Sequence, residues 1–181
     1  MNTTGGRTRE RATAERLTCF SDAVGWARAA EVIDDAEHRD LVAHADGDPA
    51  GAQEALLDLR DQREALHTFL LAGVDDEPCA AQTRDRVKSD IVNAYCGAEL
   101  SAQFRTDQAW LVSLDMTELT LLGRRLGVAT GALLGSLLRT QISVCGRCSW
   151  MFLDPSPSRR RRWCSMAACG NRAKAQRHQR K

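Results

Sequence analysis

Apolar residues recur at helical spacing through most of this chain. Leu17, Phe20, Val24 and Ala27 share one face of the segment from Ala12 to Ala30, which predicts a first helix. A second, shorter helix spans about Asp35 to Ala45. Asp46-Gly47-Asp48-Pro49 then ends that helix and starts another, because Asp48 can cap free N–H groups and Pro49 suits the first helical position. The third helix runs to about Ala72 with Leu56, Leu59, Leu66 and Leu70 in one stripe. Arg63 shares that stripe and reads as a rim arginine whose stem lies over the core. A linker with Asp75, Asp76, Glu77 and Pro78 follows, and a fourth helix covers about Ala80 to Tyr95.

The pattern then loosens. Ala98–Phe104 and Ala109–Leu114 flank Arg105-Thr106-Asp107-Gln108, which predicts a small β-hairpin. Asp115-Met116-Thr117-Glu118 reads as a capping box. It opens a long helix to about Thr140, with Leu119, Leu122, Leu126, Ala129, Leu133 and Leu137 facing inward. Gly127, Gly131 and Gly135 recur at every fourth position in it. Each costs about 1 kcal/mol of helical stability relative to alanine, and a row of such positions lets another backbone come close. That backbone is either a helix of the same domain or the same helix of a second chain, a homodimer seam. The stretch from Leu126 to Leu138 is uncharged but too short to span a bilayer. The first residues lack the apolar run of a secretory signal. The expectation is a cytoplasmic protein with no membrane partner, in a compartment that keeps thiols reduced.

There are seven cysteines. Cys19, Cys79 and Cys96 stand apart and read as small core residues. The other four form Cys145-x2-Cys148-x15-Cys164-x4-Cys169. In a reduced chain, two such pairs suit one tetrahedral metal site, and an all-thiolate set favours a single structural zinc. A closed site leaves no position for a reacting water, which argues against zinc catalysis. So short a segment cannot fold on burial alone; the metal would contribute on the order of 10 kcal/mol. Gly146 is expected to ease the first turn through backbone angles that other residues avoid. Trp150 to Leu153 predicts a strand, with Trp150, Phe152 and Asp154 on one side. A turn follows at Asp154-Pro155-Ser156-Pro157, and a helix starts near Cys169. The expected class is mainly α (α+β): a helical body over residues 1–140, then a treble-clef-like four-cysteine zinc finger over 141–181. A zinc-ribbon variant is the alternative.

Charge separates the same two parts. Met1–Leu138 holds 14 Lys and Arg against 23 Asp and Glu, whereas Arg139–Lys181 holds 11 against 1. Zinc with four thiolates carries a net charge of −2, which about two cations would offset. Arg159, Arg160, Arg161, Arg162, Arg172, Lys174 and Arg177 go well beyond that, and are the candidate nucleic-acid contacts. The rival reading docks this basic tail on the acidic body of its own chain, from which DNA would have to displace it.

The tail resembles the CGNR zinc finger, named for Cys169-Gly170-Asn171-Arg172. The resemblance also takes in Cys145, Cys148, Trp150, Phe152, Asp154, Ser156, the run Arg161 to Met166, and Lys174. Arg159 and Arg160 stand outside that pattern. In such proteins a helical ABATE domain usually precedes the finger, and the body is similar at Arg16-Leu17 to Trp26-Ala27 and at Arg63-Glu64-Ala65-Leu66. ABATE domains usually open with a strand ending in Asn-Thr. Here Asn2-Thr3 matches the ending and the strand before it is missing. The resemblance implies a stress-linked transcription regulator, with the finger on DNA and the body sensing an effector or dimerising. The alternative is a protein or RNA interaction adaptor that zinc merely shapes. No enzyme is expected: Gly-x-Ser-x-Gly, the phosphate loop and His-Glu-x-x-His are all missing, and His38, His44 and His67 match no ligand spacing.

Overall fold

The computed structural model describes residues 3–7, 12–102, 110–112 and 118–179. Helix α1 is Phe20–Ala29, α2 is Asp35–Gly47 and α3 is Pro49–Asp75. Two caps set these boundaries. Asp34 accepts from the N–H groups of Ala36 and Glu37 at 2.8 and 2.9 Å, and Glu37 accepts in return from Asp34 N at 3.0 Å. Asp48 accepts from Gly51 N at 2.9 Å with Pro49 behind it, as expected from the sequence. Phe20, Val24 and Ala27 of α1 meet Leu41, Leu56 and Leu59 from the next two helices in a buried core closed by Leu121 and Leu122.

The chain before α1 departs from its predicted helix. Thr4–Arg7 forms β1 and Ala12–Glu15 forms β2, paired antiparallel with Thr4 opposite Glu15. Alanine and glutamate favour helix here, but a half-buried ion pair overrides them. Arg63 is 9% exposed, not a rim residue. Its guanidinium donates to both oxygens of Glu15 and, at 3.0 Å, to the hydroxyl of buried Thr3. Extended backbone brings Glu15 within reach of it. Leu17 is buried as expected, though it lies in the connection before α1.

Burial pushes the Glu15 carboxyl up, but the Arg63 side chain and the N–H groups of Leu17 and Arg16 outweigh it and hold it at about 2. A carboxylate depressed on folding stabilises the fold above its ordinary range near 4.5, and that contribution is lost as pH falls toward 2. Glu15→Gln should therefore unfold with a shallower pH dependence than the parent between those limits, as thermal melts at several pH values would show.

Helix α4 is Ala81–Cys96. Glu99–Leu100 (β3) and Trp110–Leu111 (β4) pair antiparallel, so the predicted hairpin is present as a two-residue ladder separate from β1–β2. Its turn, Arg105 to Gln108, lies outside the described residues, as do Asp115 to Thr117 of the expected capping box. Helix α5 is Leu121–Gly135, shorter at both ends than predicted. A Cβ at Gly127 would stand 2.6 Å from Ala94 Cβ and 2.7 Å from Asp90 O, and one at Gly131 would stand 2.6 Å from Tyr95. These two glycines seat α5 on α4 of the same chain. Gly135 meets nothing within 4 Å. There the helix stops: Ser136 is extended and its hydroxyl accepts from Leu138 N at 3.2 Å. A 3₁₀ turn, Leu137–Gln141, carries the chain onward. Leu137 is consequently 80% exposed, and Ala129 also faces outward, against expectation. Cys19 and Cys96 are exposed and Cys79 half-buried, so none is the core residue expected: Cys19 is the N-cap of α1 and Cys96 the last residue of α4. Among the described residues no helix is long and apolar enough to cross a membrane.

Candidate metal centre and its basic loop

Ile142–Val144 (β5) pairs antiparallel with Met151–Leu153 (β6), and this hairpin encloses the first cysteine pair. At its tip Cys145 N donates to Trp150 O at 2.8 Å and Ser149 N to Cys145 O at 3.0 Å. The left-handed residue of this turn is Ser149, at φ 55°, and no glycine here has a positive φ. Gly146 therefore has a different role from the one predicted. Its N–H donates to Arg162 O at 3.0 Å, and a Cβ there would lie 3.4 Å from the Trp163 ring. Gly170 faces the same ring, with a built Cβ at 3.2 Å from it and 2.6 Å from Met166 Sδ. Trp163 is thus held between the two halves of the site. Cys169 closes the set from a single π-helical turn, Met166–Gly170, that runs into α6, Asn171–Gln179.

The four sulfurs lie within 4.8 Å of one another, with Cys164 Sγ 3.7 Å from both Cys148 Sγ and Cys169 Sγ. Disulfides need about 2.05 Å. Four sulfurs around a tetrahedral zinc at about 2.3 Å stand roughly 3.8 Å apart. The residues therefore fit one structural zinc ion, with Cys145 and Cys169 buried and the other two half-buried. Electrostatics agree. Burial pushes the Cys145 thiol up, but N–H groups of Cys148, Cys164 and Arg147 outweigh it and hold it at about 6. Burial and the neighbouring thiols push Cys164 up, and burial does the same to Cys148. A divalent cation among the sulfurs would favour the thiolate forms of the two raised thiols, which is what zinc supplies.

Asp154 holds the loop between the cysteine pairs. It is 1% exposed, accepting from Ser156 N at 3.0 Å and Arg161 N at 2.9 Å. Hydrogen bonds from Ser156 and Arg161 keep its carboxyl below the usual range. The sequence places Asp154 on the strand face but does not reveal this role, because the donor that closes the loop is the backbone N–H of Arg161, seven residues on.

The predicted nucleic-acid contacts divide. Arg159 donates to Thr140 O at 2.9 Å. Arg161 donates to Trp163 O at 2.9 Å and to Cys164 O, with its guanidinium 4.9 Å from the Phe152 ring centroid. Arg162 lies over Trp163 at 5.4 Å. Arg160, Arg172 and Lys174 are exposed, and the Arg177 side chain lies outside the described residues.

A hairpin holding two thiols, joined by a stapled loop to a helix that brings the fourth, defines a four-cysteine zinc finger. Residues 141–181 match the family model of the CGNR zinc finger. A search of curated proteins gave no match to the chain.

A wide-mouthed groove of about 1410 Å³ runs between the α1–α2 connection, β4, α4 and α5. Tyr95 and Trp110 meet edge to face in its wall, ring centroids 5.1 Å apart. Arg125 crosses it to Glu37, with an N–H···O distance of 2.7 Å, and also donates to Val32 O at 2.7 Å.

Proposed function

We propose that the chain is a DNA-binding transcription regulator whose zinc finger engages the phosphate backbone and whose helical body senses a small molecule. One observation carries this reading: exposed Arg160, Arg162, Arg172 and Lys174 stand on a segment with 11 basic residues against 1 acidic. Such an excess on a small rigid module favours a polyanion. The groove supports the sensing role, because aromatic walls beside a fixed guanidinium suit an amphipathic effector. Sensing is preferred to dimerisation through α5, since Gly127 and Gly131 are already filled by α4. The body's resemblance to ABATE domains points the same way.

Titrating the zinc-loaded chain with random-sequence duplex DNA in rising salt tests the reading. Log Kobs should fall with log salt by about 0.9 for each phosphate contact. Affinity indifferent to salt, or RNA competing far better than duplex, would instead favour the adaptor.

A further inference from the structure

We infer that the four-arginine run is divided by parity: Arg160 and Arg162 grip phosphates, while Arg159 and Arg161 are positioning residues that hold the zinc loop. The first half rests on the DNA reading above; the second does not.

The segment from Arg159 to Trp163 belongs to neither helix nor strand. What each side chain touches separates the four arginines. The Arg161 N–H is bound by buried Asp154, the single acidic residue in the finger's sequence. Its guanidinium then turns back onto the finger, one face over Phe152, Nε on Trp163 O and Nη2 on Cys164 O. Those two carbonyls flank a zinc ligand, so Arg161 sets the direction of Cys164 Sγ. Arg159, left-handed at φ 47°, closes a turn through its N–H to Ser156 O at 3.1 Å and reaches Thr140 O in the 3₁₀ turn between body and finger.

The even-numbered pair is placed differently. All four arginines are exposed, but Arg160 makes no side-chain hydrogen bond or ion pair among the described residues. Arg162 rests on the ring of Trp163, which Gly146 and Gly170 hold in place, and its N–H edges stay open. Stacking on a fixed indole orients a guanidinium without using its donors. A phosphate can then take both N–H edges in a bidentate pair.

Full-length variants separate the roles, with duplex DNA and a competing zinc chelator as the two probes. Arg160→Ala/Arg162→Ala should reduce the magnitude of the salt slope by about 2, at about 0.9 per contact, with zinc affinity unchanged. Arg161→Lys keeps the charge but cannot span two carbonyls with one fork. It should weaken zinc about tenfold or more, as loss of an outer-shell partner does, and keep the parent's salt slope. Arg159→Ala should leave both that slope and zinc affinity unchanged, and raise amide exchange in the 3₁₀ turn. Equal slopes for parent and the Arg160/Arg162 pair, or unchanged zinc affinity in Arg161→Lys, would overturn the division. If the parent chain binds no duplex at any salt, the DNA reading fails and takes the roles of Arg160 and Arg162 with it. The chelator measurement then still decides Arg161.

Discussion

Cys164→Ser should abolish stoichiometric zinc binding and unfold residues 141–179, while α1 to α5 keep their structure. Cys164 Sγ stands 3.7 Å from both Cys148 Sγ and Cys169 Sγ, so its removal takes one corner from the tetrahedral set. A serine hydroxyl gives up its proton far less readily than a thiol and is a poor zinc ligand. Little else would hold the finger. Its buried side chains among the described residues are Cys145, Cys169, Met151 and Asp154, so half of them are the metal ligands. Two three-residue strands and one short helix cannot offset the chain entropy alone. Forfeiting metal-linked folding free energy on the order of 10 kcal/mol leaves this part unfolded. The core around Val24, Leu41 and Leu56 draws nothing from the finger. Hydrogen exchange should show protection lost after Ile142 and retained in α1, α3 and α5. Exchange lost equally in the body would contradict this separation.

The second large effect concerns Gly127. A side chain there must displace Ala94 and the backbone carbonyl of Asp90, which no rotamer change relieves. Gly127→Leu should cost about 3 kcal/mol through overpacking. Gly135→Ala is the control: open space surrounds it, so the helical gain of up to about 1 kcal/mol should be realised. The two substitutions should shift the melting temperature in opposite directions. A Gly127→Leu variant that melts like the parent and changes only its sedimentation would mean that this face meets a second chain.

Where the sequence could be read, local rules and spacing coincided. Asp48-Pro49 marks a helix start because both residues act within one turn of themselves, and the boundary holds. The four zinc ligands were legible because coordination geometry constrains their spacing. What escaped depended on distant partners. The Ala12–Glu15 strand exists because Arg63, far along the chain, captures Glu15. The three remaining cysteines look like core residues by type, yet Cys19 and Cys96 sit at helix ends and Cys79 in the α3–α4 connection, at or near the surface. Gly146 serves by proximity to Trp163 and not by its φ, which no local pattern signals. The arginine run is uniform in sequence and divides only once Asp154 pins one backbone N–H.

Metal content bears most directly on the central claim, that the C-terminal segment folds around a single ion. Elemental analysis of the purified, untagged chain should give one zinc per molecule, and stripping that zinc with a chelator should remove amide protection from β5 through α6 alone. A folded, protected β5–α6 segment in a chain containing no metal would contradict it.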